Sequence, residues 1–394
     1  MNSEKTVVVG VCGGIAAYKA LDVISSLRKN NININVIMTD SAVKFVNPLS
    51  FQSLSQNMVV TDMFAEPKAW EIQHISLAKK ADLMLIIPAT ANVIGKVASG
   101  IADDMLTTTI MASTAPVVFA PAMNTNMYIN PIVQENIAKL KNLGYSFISP
   151  ASGRLVCGDV GEGKLADTKL ICEIVLSKLY DKKDLQNKRV LVTAGPTIAP
   201  IDPVRYITNR SSGKMGFAIA EEARDRGAKV TLISGPTNIT PPFGVNFISV
   251  KTNQEMFDKV IEYFPTQDIV IKSAAVADYK PREYSEQKIK KIEDDLTLTF
   301  IRDNDILKKL GEIKKHQVLI GFAAESNNLI ENAKIKLANK NLDYIVANDI
   351  TSEDAGFAVD ENKVIIFNKN GSIKQLDRMS KRLVARELFN FINS

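Results

Sequence analysis

Residues 188–216, KRVLVTAGPTIAPIDPVRYITNRSSGKMG, decide how the chain is divided. Val190-Leu191-Val192 is a continuous apolar run of the kind a buried strand carries. It leads into Ala194-Gly195-Pro196-Thr197, a polar loop, and the small-residue turn Ser211-Ser212-Gly213. Met215, Ala218, Ile219 and Ala223 then form a helical stripe, with Gly227 in the favoured terminating position. That order is the opening of a nucleotide-binding βα unit, close to the midpoint of 394 residues. The N-terminal region repeats it: Thr6-Val7-Val8-Val9 runs into Gly10-Val11-Cys12-Gly13-Gly14 and a second helical stripe at Ala17, Leu21, Ile24 and Arg28. Two such openings predict two α/β domains, each a doubly wound, mainly parallel sheet. The charged run Asp181-Lys182-Lys183-Asp184 marks the joint, giving domains over 1–182 and 188–394 with 183–187 as linker.

Working outward, Ile32 to Met38, Leu83 to Ile87 and Val117 to Phe119 read as further strands of the first domain. Pro88 and Pro121 are expected to stop the last two. Thr39-Asp40-Ser41 offers a helix cap, and Asp103-Asp104 opens a helix at the end where carboxylates are favoured. Periodicity vanishes from Ser149 to Thr168, predicting a long loop that is functional or disordered, and a helix follows over 169–180. In the second domain strands are expected at 229–234, 246–250, 268–273, 317–322 and 343–347, with a hairpin at Lys369-Asn370-Gly371. The charged segment Tyr279 to Glu293 reads as a mobile loop. In sheets of this kind ligands gather at the carboxyl ends of the strands.

Composition narrows the function. Hydrophobic residues at 46% with 23% charged are those of a soluble globular protein, and no apolar run reaches the roughly 18 residues of a membrane span. MNSEKTVVVG lacks the pattern of a signal peptide. Cys12, Cys157 and Cys172 have no CxxC spacing, which argues against zinc or a disulfide framework and for a reducing, cytoplasmic compartment. A net charge of +5 spread over many faces gives no call for nucleic acid; small anionic substrates explain it equally. Neither glycine turn fits a standard fingerprint, since the first lacks G-x-G-x-x-G and Met215 follows Lys214 where an NTPase loop needs Ser or Thr.

Longer motifs are more specific. Pro121-Ala122-Met123-Asn124 and Gly153-Arg154-Leu155-Val156-Cys157-Gly158 resemble the flavin-containing cysteine decarboxylase family. Ala194-Gly195-Pro196-Thr197, Ile201-Asp202-Pro203-Val204-Arg205 and Asn209-Arg210-Ser211-Ser212-Gly213 are similar to phosphopantothenoylcysteine synthetase. Ser273-Ala274-Ala275-Val276-Ala277-Asp278-Tyr279 and Gly321-Phe322-Ala323-Ala324-Glu325 match that family too. In this order, over essentially the whole chain, they resemble the bifunctional coenzyme A biosynthesis family of bacteria and archaea.

The resemblance implies a flavodoxin-like or Rossmann-like flavin-dependent cysteine decarboxylase fold followed by a Rossmann-like ligase fold. The first domain would bind FMN and decarboxylate 4′-phosphopantothenoylcysteine to 4′-phosphopantetheine. Cys157 matches the proton donor, and its glycine-rich surroundings differ from the apolar helix face that carries Cys172. His74 matches the active-site base, whereas His316 lies in the polar run Lys314-Lys315-His316-Gln317. Asn124 matches the asparagine that binds the substrate carboxylate, and Gly13, Thr39, Thr90 and Asn92 are the expected flavin contacts, although Thr39 could equally be only a cap. The second domain would join 4′-phosphopantothenate to cysteine with CTP and Mg2+ through an acyl-cytidylate. Asn209 would handle that intermediate, with Arg205 and Arg210 as nearby donors and Lys288 needed for the second half-reaction. Ala275, Asp278, Phe322, Lys336, Lys340 and the run Asp303-Asn304-Asp305-Ile306 match nucleotide positions, but Asn304 stands where the family typically has proline. A solvated face is the bland alternative for any one of these lysines, and no metal ligand is assigned. Partners are expected to be small molecules and further copies of the chain, in the family a dodecamer, with neither nucleic acid nor membrane. A flavin-binding scaffold that has lost turnover is the alternative function.

Overall fold

In the computed structural model, which describes residues 5–64, 72–154, 160–290, 296–325, 328–349 and 359–393, the chain divides into Met1–Tyr180 and Asp181–Ser394. The first unit is built on β1 (Thr6–Val11), β2 (Asn33–Met38), β3 (Leu83–Ala89), β4 (Val117–Pro121) and β5 (Ser146–Phe147). These lie in the order β2-β1-β3-β4-β5, all parallel. Both faces are covered, which is why the strands read as unbroken apolar runs. Val7, Val9 and Val11 pack with the helices Lys19–Lys29 and Thr168–Lys178, while Val8 packs with Ala91–Ala98 and Met105–Ala112. Pro88 does not end its strand as expected, since β3 continues to Ala89, whereas β4 does end at Pro121. Pro88 has no N–H to give, so the ladder skips from Ile86↔Phe119 to Ala89↔Pro121 and then resumes.

The stretch 149–168 is not simply a loop. It holds β6 (Ala151–Arg154) and β7 (Val160–Lys164), an antiparallel pair whose glycines erase the alternation by which a strand is recognised.

The second unit carries β8 (Arg189–Ala194), β9 (Ile198–Pro200), β10 (Tyr206–Thr208), β11 (Lys229–Ser234), β12 (Asn246–Ser249) and β13 (Ile269–Lys272). It continues with β14 (Tyr279–Pro281), β15 (Phe300–Arg302), β16 (Val318–Glu325), β17 (Tyr344–Asp349), β18 (Glu361–Asn368) and β19 (Ile373–Ser380). Its main sheet runs β12-β11-β8-β13-β16-β17-β18-β19. The first six are parallel in the doubly wound dinucleotide-fold order, and the last two add the expected antiparallel hairpin, turned at Gly371 with φ +89°. One face packs on the helices Lys214–Asp225 and Lys381–Ile392; the other packs on Asn253–Tyr263, Ile306–Ile313 and Leu329–Asn339. The small pairs β9–β10 and β14–β15 stand outside this sheet.

Residues 183–187, read as linker from their charge, pack on the second unit. Leu185 is 1% exposed in its core, and Asp184 reaches the buried Arg226 at 3.1 Å. Arg226 is satisfied by Glu222, Asn390 and the carbonyl of Arg386, as a buried guanidinium must be. Among the described residues no helix is long and apolar enough to cross a membrane.

Candidate active sites

Each sheet has one crossover where ligands are expected, between β1 and β3 in the first unit and between β8 and β13 in the second. At the first, the turn after β1 lies against the start of the helix Asp40–Val43. A Cβ on Gly13 would sit 2.3 Å from Ser41 Cβ, so only glycine fits, while Gly14 borders open space. Thr39 caps that helix by accepting from the Ala42 N–H at 3.2 Å. Thr90 does the same for Ala91–Ala98, accepting from Val93 at 3.4 Å, and Asn92 is exposed on its first turn. Open space beside a glycine turn, bordered by hydroxyls and a helix N-terminus, suits a phosphorylated flavin. Cys12 is no nucleophile there: it is buried against Thr90, and burial pushes its thiol up to about 12.

Asn124 caps the turn Thr125–Tyr128, its Oδ1 accepting from the Asn126 N–H at 2.8 Å. The β6–β7 hairpin is laid directly against this segment. Met123 donates to the Gly163 carbonyl at 2.9 Å, and a Cβ on Gly163 would be 2.4 Å from the Met123 oxygen. Gly161 is equally constrained, by Thr125 Cγ2 at 2.7 Å. The glycines that hide the hairpin in the sequence are thus what docks it beside Asn124. Cys157 lies outside the described residues. His74 is half-buried near the start of the helix Gln73–Lys80.

At the second crossover Gly195 and Gly213 have φ of +71° and +80°, and a Cβ on Gly213 would come within 2.7 Å of Thr237. Gly213 caps the helix Lys214–Asp225 with no side-chain hydrogen bond, and Gly216 lets that helix approach Ala194. The ends of β8 and β13 are tied together: Ala275 donates to the Gly195 carbonyl at 2.9 Å, and Ala277 donates to Thr197 Oγ1 at 2.9 Å. Asn209 joins them, its Nδ2 donating to the carbonyls of Ala275 at 3.1 Å and Val276 at 2.9 Å. Its exposed amide is therefore held at the crossover.

Arg205 and Lys288 are brought together by a residue whose role the sequence does not reveal. Asp202 is 2% exposed and accepts from the N–H groups of Val204 (2.8 Å), Arg205 (2.7 Å) and Ile289 (3.2 Å), and from Arg205 Nη1 (2.9 Å). Arg205 also donates to the Ile289 carbonyl at 3.1 Å, so the residue after Lys288 is gripped on both sides. Burial opposes ionisation of Asp202, but the three amides and the guanidinium prevail and hold its carboxyl below the usual range. Ser285 further donates to the Ile201 carbonyl, and Tyr279–Pro281 pairs with β15. The described part of the expected mobile loop is therefore anchored. Lys288 and Arg210 are exposed.

The run 303–306 closes on Asp278. Asp303 donates its N–H to the Asp278 carbonyl at 2.9 Å and receives Lys280 Nζ at 3.0 Å. Asp305 caps the helix Ile306–Ile313 and pairs with Lys340 at 2.9 Å, while Ile306 is buried in the core, leaving only its backbone for a ligand. Phe322 does not join Lys336 and Lys340 on one face. It packs on the side of the helix Lys214–Asp225, whereas the helix Leu329–Asn339, with Lys336 on it and Lys340 just past its end rather than on the same helix face, covers the other.

Lys272, at the end of β13, went unnoticed in the sequence. Burial lowers its ammonium to about 8, with Asp278 opposing, Lys340 adding, Asp305 opposing and Lys336 adding. A lysine closing the apolar run Ile269-Val270-Ile271 immediately before the crossover motif is the signal that could have found it. Among the described residues no cluster of three or more His, Cys, Asp or Glu could hold a metal.

The chain is similar to known proteins in both halves. Residues 1–180 match the family model described as Flavoprotein, and residues 185–394 match the DNA/pantothenate metabolism flavoprotein C-terminal domain. The chain is 49% identical over 395 residues to the coenzyme A biosynthesis bifunctional protein CoaBC of Bacillus subtilis, covering 100% of this chain and 97% of that one. It is 46% identical to the protein of the same name from Borreliella burgdorferi, over 100% of both. A crystal structure of the C-terminal domain of a coenzyme A biosynthesis bifunctional protein aligns at 45% identity over 54% of this chain and 96% of that one, with a TM-score of 0.47.

Proposed function

Because the chain belongs to the family of bifunctional coenzyme A biosynthesis proteins, we propose that its two crossovers carry two successive reactions. The protein is a flavoprotein and an enzyme, a phosphopantothenate–cysteine ligase that makes phosphopantothenoylcysteine and a decarboxylase that consumes it. The single observation supporting the residue assignment is that Asn209 and residues 303–306 meet at the turn after β13, while Asp202 and Arg205 grip the Lys288 loop.

For ligation, a carboxylate must be activated, because oxide is a hopeless leaving group. The 4′-phosphopantothenate carboxylate attacks the α-phosphorus of CTP, pyrophosphate departs, and the cysteine amine then displaces CMP from the acyl-cytidylate. The Gly195 and Gly213 turns and the uncapped helix N-terminus at Lys214 receive phosphate oxygens. Asn209, fixed by two carbonyls, orients the acyl-cytidylate; Arg205, Arg210 and Lys288 offset the charge that builds on the phosphates. Ala275, Asp278, Asp303, Asn304, Asp305, Ile306, Phe322, Lys336 and Lys340 line the nucleotide. Mg2+ travels with the triphosphate.

For decarboxylation, loss of CO2 directly from the cysteinyl carbon would leave an unstabilised carbanion. FMN supplies the remedy when bound, accepting a hydride as the thiol carbon is oxidised and returning it later, so the cycle is redox-neutral. Gly13, Thr39, Thr90 and Asn92 hold the flavin. Asn124 binds the carboxylate that is lost, His74 takes the thiol proton, and Cys157 delivers a proton to the product enethiol. The substrates are small molecules, the compartment is cytoplasmic, and the working form is a homo-oligomer, a dodecamer in keeping with the family resemblance.

The test is a product balance. Purified protein should be yellow, and with CTP, Mg2+, 4′-phosphopantothenate and cysteine it should release both pyrophosphate and CO2. Pyrophosphate without CO2 would remove the decarboxylase assignment alone. Neither product would leave the scaffold alternative.

A further inference from the structure

Thr252 caps the helix Asn253–Tyr263, accepting from the Glu255 N–H at 3.2 Å. The neighbouring Asn253 is thereby released from capping, and its side chain does something else. It is 1% exposed, and its Nδ2 uses both protons across loops: one goes to the Ala277 carbonyl at 3.1 Å, the other to the Asn304 carbonyl at 2.9 Å. Ala277 directly precedes Asp278, and Asn304 lies between Asp303 and Asp305. One amide therefore stitches the β13 turn to the run 303–306, parallel to the Asp303 N–H bond to Asp278. Its Oδ1 is buried with no hydrogen-bond partner among the described residues, a cost that a helix-surface role would not require.

The next residue adds a second tie. Gln254 Oε1 accepts from Asn304 Nδ2 at 2.7 Å, and Gln254 is itself steadied by Asp258 at 2.8 Å. Asn304 is thus held by backbone and side chain at once. A proline at this position would restrict the loop through its fixed φ. Asparagine leaves φ free, so the restraint has to come from outside.

We propose that Asn253 is a positioning residue for the ligase reaction, and that Asn253 with Gln254 supplies to the 303–306 loop the rigidity a proline at 304 would otherwise give. The inference rests on the reading that this loop takes the nucleotide. Asn253 touches no reacting atom; it acts through Asp278 and the loop. Losing it leaves two carbonyls without their donor and two loops free to part, which weakens binding of the nucleotide without altering the chemistry that follows.

The experiment compares steady-state constants of the full-length enzyme. Asn253→Ala should raise the KM for CTP about tenfold, the effect of losing roughly 1.4 kcal/mol of hydrogen bonding, with kcat changed less than about twofold. The KM values for 4′-phosphopantothenate and cysteine, and decarboxylation of supplied 4′-phosphopantothenoylcysteine, should not move. Adding Asn304→Pro to Asn253→Ala should recover part of the CTP affinity, because proline narrows the loop's free ensemble while costing the Asn304 N–H bond to Asp303 at 2.9 Å. Gln254→Ala, on an exposed residue, should give a rise of about threefold and keeps the test open if Asn253→Ala does not fold. An unchanged KM for CTP in Asn253→Ala overturns the proposal, as does a loss shared by every substrate that Asn304→Pro fails to relieve. A wild-type enzyme that releases no pyrophosphate from CTP would instead overturn the nucleotide reading itself.

Discussion

The two crossovers obey the same topological rule, yet the side chains around them differ in kind. Around β1 and β3 stand glycine, threonine and asparagine, with Asp40 exposed beside Thr39 and Asp104 locked in a capping box and paired with Lys96 at 2.9 Å. Around β8 and β13 stand Lys272, Asp278, Asp305, Lys336 and Lys340, the last four close enough to act on the ionisation of Lys272. Under the function proposed above, the difference follows the chemistry. A hydride and a proton exchanged with a bound flavin need shape, hydrogen bonds and an excluded solvent. Displacing pyrophosphate moves several negative charges, and only fixed cations and amides offset them.

If the two regions are as separate in chemistry as in furnishing, one substitution should silence one reaction alone. Cys157→Ser should cut formation of 4′-phosphopantetheine by about 10³-fold, the scale of a lost general acid, with pyrophosphate release untouched. The oxidised enethiol should accumulate and be seen by mass spectrometry. Normal pantetheine formation would refute the proton-donor role, and a parallel fall in pyrophosphate would refute the separation. Asn209→Ala is the converse. It should lower ligation about 10²-fold, as expected for loss of a preorganised polar group, while supplied 4′-phosphopantothenoylcysteine is still decarboxylated.

A smaller effect separates turn geometry from charge. At Gly213 any Cβ meets Thr237 and the backbone holds φ +80°, so Gly213→Ala should cost about 1–3 kcal/mol of stability in the second unit. Thermal unfolding should report it, together with a raised KM for CTP and unaltered decarboxylation. A variant as stable as the wild type would show that this turn is not strained by a side chain.

What the sequence could and could not reveal follows the same physics. Strand–turn–helix openings are local, and their apolar runs and glycines marked both crossovers correctly. Asn209, Asp278 and the 303–306 run were singled out only through motif, and the structure brings them to the turn after β13. Asp202, Asn253 and Lys272 were not assigned roles, because each acts on carbonyls, amides or charges far along the chain and leaves no periodic trace. Pro88 misled for a related reason, whereas β4 does end at Pro121. A proline removes a single donor, and a register shift absorbed the loss without ending the strand. The β6–β7 hairpin was hidden by Gly161 and Gly163, which the packing against Met123 and Thr125 demands.

Lys272 offers the finest test of the contrast, since no buried ammonium stands among the residues expected to hold the flavin. Its folded value of about 8 lies below the ordinary 10.5, so the unfolded chain binds the proton more tightly. Stability therefore carries a penalty below about pH 8, lifted as pH rises from there toward 10.5. Lys272→Met should raise the melting temperature at pH 7, and the gain should fade by about pH 10. A polyanion bound beside the amine reverses the balance by favouring its charged form. Nucleotide binding at pH 8 should then draw in up to roughly half a proton, because the free amine is about half charged there. Calorimetry in two buffers of different ionisation enthalpy measures that uptake directly. Uptake that persists unchanged in Lys272→Met would assign the proton to another group, and no uptake in the wild type would place the triphosphate beyond the reach of this amine.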